Sequence, residues 1–218
     1  MTHVETRHAI HPDHAKGMDT AELRRHFLAE GVFADGQIRL VYAHYDRFVI
    51  GGAVPAGGSL VLDRIEETKT DSFLERREMG IVNIGETGTV AAAGQSWDMQ
   101  KGDVLYLGMG SGAVTFSGQG RFYLASAPAH RGLPCRLVTV GEAKEVRLGA
   151  VETSNKRTIR QFIHPLVMES CQLVLGYTTL EDGSVWNTIP SHVHDRRMEA
   201  YLYHGMAPEA RVLHLMGE

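Results

Sequence analysis

The sequence predicts a mainly β protein, two tandem β-barrels behind a short N-terminal helix. Three observations carry this expectation. Short Val-, Ile-, Leu- and Tyr-rich runs separated by glycine-containing turns come in two series, the two series resemble each other, and one capped helical pattern stands near the start.

The helix comes first. Asp19 occupies an N-cap position, Glu22 stands three residues on as its capping-box partner, and AELRRHFLAE continues to Gly31. Residues 1–30 are therefore read as an arm and a helix, and the His- and charge-rich arm is expected to be mobile. Between residues 31 and 140 the runs IRLVYAHY, RFVIGGAV, GIVNIG, DVLYLG, AVTF and RFYLASA supply the strands of a first barrel. The polar stretch GEAKEVRLGAVETSNKRTIRQFIHP reads as a connection, with the linker near residues 136–160. Residues 141–218 are then linker and second barrel, with strands expected in CQLVLGYTTL, SVWNTI, EAYLYHG and ARVLHLMG.

A shift of 120 residues lays Glu75-Arg76-Arg77 over Asp195-Arg196-Arg197 and Gly85 over Gly205. A duplicated β domain explains this, although Glu-Arg-Arg alone is also common on a solvated turn. The same shift places Ser72, Leu74 and Met79 over His192, His194 and Glu199. The first barrel is thus expected to lack metal ligands.

Composition narrows the function. Lys and Arg total 22 against 26 Asp and Glu, a net charge of -4, which offers no broad basic surface for nucleic acid or an anionic membrane. The first residues, MTHVETRHAIHPDH, lack the apolar stretch of a secretion signal, and no run reaches membrane-spanning length, so a soluble cytoplasmic protein is expected. Cys135 and Cys171 have neither zinc nor redox spacing and read as ordinary thiols.

The chemistry concentrates in WNTIPSHVHDRRMEAYLYHG, residues 186–205. Two residues apart on a strand, His192 and His194 share a face. A turn at Asp195-Arg196-Arg197 would bring Glu199 back to them. Two imidazoles and a carboxylate suit Zn, Fe, Mn or Ni, and leave a position for a substrate oxygen. The bland alternative is two surface histidines with Glu199 paired to an arginine. Arg196 and Arg197, or Lys156, Arg157 and Arg160, offer cationic groups for an acid substrate, and Trp186 and Asn187 are candidates for the site mouth; salt bridges and core packing are the competing readings. His3, His8, His11 and His14 lack carboxylate or thiolate company, and His204 and His214 read as hydrogen-bonded strand histidines.

The spacing H-x-H-x4-E-x5-G resembles the first motif of the cupins, small jelly-roll barrels with a metal in the mouth. More widely, HPDHAKGMDTAELRRHFL, SFLERREMGIVNIG, APAH, TSNKRTI and WNTIPSHVHDRRMEAYLY resemble the 4-deoxy-L-threo-5-hexosulose-uronate ketol-isomerase family. That resemblance implies a bicupin with one Zn2+ in the second barrel, held by His192, His194, Glu199 and a further histidine. It implies a homohexamer that isomerises a small sugar-acid substrate in pectin degradation, converting 5-dehydro-4-deoxy-D-glucuronate to 3-deoxy-D-glycero-2,5-hexodiulosonate. The further histidine is expected beyond HLMG, whereas this sequence ends at Glu218, so the second barrel is expected to be incomplete and the activity of this chain reduced. The catalytic base is not assigned. Another cupin reaction, oxygenation or sugar isomerisation, and a non-catalytic sugar-acid binder or inactive subunit remain open alternatives.

Overall fold

The structure, a computed structural model, describes residues 1–188 and 192–215. Among the described residues fourteen strands form three sheets, with two short α-helices, α1 (Pro12–Ala15) and α2 (Thr20–Phe27). The fold is mainly β.

The first sheet has seven strands: β1 (Thr2–Arg7), β2 (Gln37–Ala43), β3 (Phe48–Val54), β5 (Arg77–Asn83), β8 (Val104–Leu107), β10 (Phe122–Pro128) and β11 (Arg136–Val138). Their order is β1-β2-β3-β10-β5-β8-β11. The second sheet holds β4 (Ser59–Leu62), β6 (Gly88–Ala92), β7 (Gln95–Met99) and β9 (Val114–Gly118), in the order β4-β9-β6-β7. Alternate side chains of the two sheets meet in one apolar core. Ile38, Leu40, Met79, Ile81, Leu105 and Leu124 enter it from the seven-stranded sheet, and Leu62, Val90, Met99, Val114 and Phe116 from the other. The six runs named from the sequence for the first barrel correspond to β2, β3, β5, β8, β9 and β10.

The N-terminal arm is a correction. Residues expected to be mobile form β1, which pairs in parallel with β2 in the register Thr2↔Ile38 to Arg7↔Ala43. An edge position explains the polar sequence, since Val4 packs on the core while its neighbours face solvent. The helix agrees with expectation at its start, where the backbone N–H of Glu22 donates to Asp19 Oδ1 at 2.8 Å and that of Asp19 to Glu22 Oε2 at 3.1 Å. It stops at Phe27, before the predicted Gly31, because Leu28 turns extended.

A third sheet, β12 (Lys144–Leu148), β13 (Arg157–Ile163) and β14 (Leu175–Leu180), lies in what the sequence suggested was a connection and the run after it. Its polar look has a physical cause: β12 is an edge strand whose residues are mostly exposed. The sheet is joined to the outer face of the first through a second apolar cluster. Phe162, Ile163, Leu173 and Leu175 there meet Val82, Val104, Tyr106 and Tyr123. Gly80 makes this close approach possible, since a Cβ on it would lie 2.8 Å from Ile163 Cδ1 and 2.9 Å from Leu175 Cδ1.

The strands expected in SVWNTI, EAYLYHG and ARVLHLMG are not found among the described residues, which run there as turns and irregular chain. A strand needs a neighbour for its N–H and C=O groups, and none of the described strands pairs with these segments. Ser191, Ile189, Pro190 and residues 216–218 lie outside the described residues. No described helix is long and apolar enough to cross a membrane.

Candidate functional site

The segment from His192 to Tyr203 folds back on itself around a turn at Asp195-Arg196, where the sequence placed one. The turn brings His192, His194, Arg197 and Glu199 together, although on irregular chain rather than on the expected strands. The His192 and His194 rings stand edge to face, their centroids 4.8 Å apart. His194 Nε2 lies 3.4 Å from Glu199 Oε1.

Arg197 connects these groups. It donates from Nε to Glu199 Oε1 at 2.9 Å, and its Nη2 lies 2.7 Å from His194 Nε2. A guanidinium only donates, so His194 Nε2 presents its lone pair, the same lone pair that a metal ion takes. The hydroxyl of Tyr201 donates to Glu199 Oε2. Partial burial pushes the Glu199 carboxyl up, but the bonds from Tyr201 and Arg197 and the charges of Arg197 and His194 outweigh it and hold it below the usual carboxylate range. Burial and the bond to Glu199 push the Tyr201 hydroxyl up to about 12.

The donor set of two imidazoles and an ionised carboxylate has the chemistry of a divalent-metal site. Here the Arg197 cation bonds two of its members, His194 and Glu199, and among the described residues no three His, Cys, Asp or Glu side chains are arranged to hold a metal ion. Metal binding requires Arg197 to leave this position.

Trp186 and Asn187 are exposed, and the backbone N–H of Trp186 donates to the Ser154 carbonyl at 3.1 Å. The basic group divides: Lys156 pairs with Glu181 at 2.9 Å, Arg157 bonds the Asn155 carbonyl at 3.0 Å, and Arg160 reaches Glu145 at 2.6 Å. His214 shares a 2.7 Å hydrogen bond with the Tyr203 hydroxyl. At the N-terminus His8 stacks on His44, and His11 lies 3.6 Å from Asp13.

In the first sheet pair, Leu74 and Met79, the positions laid over His194 and Glu199 by the 120-residue shift, are fully buried in the apolar core. Arg77, laid over Arg197, is buried too. Its Nε donates to Ser126 Oγ and its Nη2 to the carbonyls of Arg47 and Ser126, and burial lowers its pKa to about 10. Glu78 went unnoticed in the sequence. Fully buried, it accepts hydrogen bonds from the Tyr106 hydroxyl and from the backbone N–H groups of Cys171, Gln172 and Leu173, at 2.6–2.7 Å. An acid inside the apolar strand run REMGIVN was the available signal.

The profile of the KduI/IolB family matches residues 27–214. A protein of Agrobacterium fabrum named 4-deoxy-L-threo-5-hexosulose-uronate ketol-isomerase is 72% identical over all of this chain and 80% of its own length. Its namesake from Cereibacter sphaeroides strain ATCC 17025 is 63% identical with the same coverage. A second such protein of Rhizobium meliloti is 51% identical over 97% of this chain and 77% of its own. Among solved structures, an IolB-like protein of Salmonella typhimurium LT2 gives a TM-score of 0.45 at 18% identity, over 56% of this chain and 46% of that one. With a family profile running through nearly every strand and the His192–Glu199 segment alike, the chain belongs to the KduI/IolB family.

Proposed function

We propose that the chain is an intramolecular oxidoreductase, a ketol-isomerase of uronate breakdown that interconverts 5-dehydro-4-deoxy-D-glucuronate and 3-deoxy-D-glycero-2,5-hexodiulosonate. The observation that carries this is the 72% identity, over the whole chain, to a relative bearing the ketol-isomerase name. In this reaction the aldehyde carbon is reduced to a primary alcohol while the neighbouring hydroxyl-bearing carbon is oxidised to a ketone. Hydrogen crosses from the latter carbon to the former, so electrons balance within the substrate and no outside oxidant is needed.

In this reading His192, His194 and Glu199 hold one Zn2+ within a bicupin, and the first barrel, with Leu74 and Met79 in its core, serves folding and assembly. When bound, the metal supplies Lewis acidity that stabilises negative charge on the substrate oxygens. Tyr201 and Arg197 hold Glu199 ionised, the charge state in which a carboxylate would ligate a metal. Arg197, once displaced from His194, presents a planar fork to the substrate carboxylate, and Trp186 and Asn187 border the entrance. Assembly as a homo-oligomer in the cytoplasm accompanies the same reading.

The test compares the chain with a His192→Ala, His194→Ala double variant after zinc loading and dialysis. We expect metal content in the double variant to fall by at least about tenfold, since removing ligands costs metal affinity on that scale or more, and isomerase turnover to fall with it. Equal metal content in the two proteins removes the metal assignment, and equal turnover removes these histidines from the reaction.

A further inference from the structure

A cavity of about 290 Å³ opens where the first and third sheets meet. Lys101 and Arg160 supply its cationic lining, Tyr177 and Thr179 its hydroxyls, and His204 an imidazole, against an apolar wall that includes Val82 and Val140. We propose that this cavity binds a small hydroxylated carboxylate, at a site separate from the histidine cluster.

Charge and hydrogen bonding select that ligand. Glu145 takes one Nη2 hydrogen of Arg160 at 2.6 Å, and the Nε–H of Arg160 is buried without a hydrogen-bond partner among the described residues. The guanidinium is therefore only partly satisfied. Lys101 adds a charge that no acid in the lining offsets. The nearby Asp103 is buried and accepts backbone N–H bonds from Gln100 at 2.9 Å and Val140 at 3.1 Å, so its oxygens are already engaged. Both cations line the cavity while no carboxylate does, Glu145 and Asp103 lying behind the lining, so an anionic group of the ligand finds its partners there. Tyr177 donates to the Gly102 carbonyl at 3.3 Å, which leaves its oxygen able to accept from a ligand hydroxyl. Burial and the charge of Lys101 lower the His204 pKa, so near neutral pH its ring adds a hydrogen-bonding group without charge. The volume lies near the lower end of the roughly 300–1,000 Å³ common for ligand pockets, which restricts the occupant to a small molecule.

Of the basic residues that the sequence offered for an acid substrate, Arg160 is the one that lines this cavity. None of the proposed metal ligands does. The site is thus testable apart from the isomerase reading.

The experiment is calorimetric titration with D-glucuronate, with D-glucose as the uncharged control. It uses the chain and the His192→Ala, His194→Ala variant, each also carrying Arg160→Gln or Lys101→Gln, with circular dichroism checking the fold. Saturable glucuronate binding is expected in both backgrounds, with glucose weaker by at least about tenfold, as loss of a charge-assisted fork implies. Either cavity substitution should weaken glucuronate by about fivefold or more. The exposed Lys101 provides the variant least able to disturb folding. Absence of saturable binding, equal binding of glucose, unchanged affinity in folded cavity variants, or loss of binding with the two histidines alone each overturns the proposal.

Discussion

Glu78 carries a carboxylate into a fully buried position and meets four donors there, three of them backbone N–H groups of the segment that leads into β14. Glutamine keeps the shape but places an amide N–H₂ where an acceptor is required. Glu78→Gln should therefore destabilise the protein by about 2–4 kcal/mol in urea unfolding, from buried donors left unpaired. Tyr106→Phe, which removes one donor, should cost about 1 kcal/mol. A Glu78→Gln protein as stable as its parent would show that the carboxylate does not hold the two sheets together. The sequence could not reveal this role because the backbone partners lie 93–95 residues away. The His192, His194 and Glu199 grouping was legible for the opposite reason, since its members are close in sequence and a single turn gathers them. The alternative reading, Glu199 paired to an arginine, is the arrangement seen with Arg197, and what spacing could not show was that the same guanidinium also reaches His194.

At the scale of elements, local codes were readable and edges were not. The Asp19–Glu22 capping box is written within four consecutive residues, and α2 starts where it directs. That helix has no buried residue. Asp19→Ala should consequently remove about 1 kcal/mol of local helix stability and speed amide exchange across α2, while the thermal midpoint of the whole chain stays in place. A clear fall in the midpoint would mean that the helix is coupled to the core. By contrast, β1 and β12 were misread because edge strands carry polar side chains and so lack the apolar alternation that marks a strand. The later segments erred the other way: EAYLYHG and ARVLHLMG have strand-like composition, but composition alone supplies no pairing partner.

For the whole molecule, those unpaired segments determine surface behaviour. Val185, Trp186, Val193, Tyr201, Tyr203, Leu213 and Leu215 are all exposed within one stretch of chain. Apolar surface gathered in this way favours association. Sedimentation velocity should show mass rising with protein concentration, and Leu213→Asp with Leu215→Asp should suppress it; a single concentration-independent species in the parent would refute the expectation. The first core was legible at this scale because the apolar runs of β2, β3, β5, β8, β9 and β10 are bounded by turn residues, whereas the seam between sheets depends on Gly80 and Glu78 acting together. Another consequence follows from the strand order, in which β10 sits between β3 and β5, with Leu124 opposite both Gly51 and Ile81. During translation, β2 and β3 can pair as soon as they emerge, but β3 and β5 each keep an open edge until Phe122–Pro128 has left the ribosome. The nascent chain therefore passes through a period with two adhesive edges and no strand to close them, when a holding chaperone has most to protect.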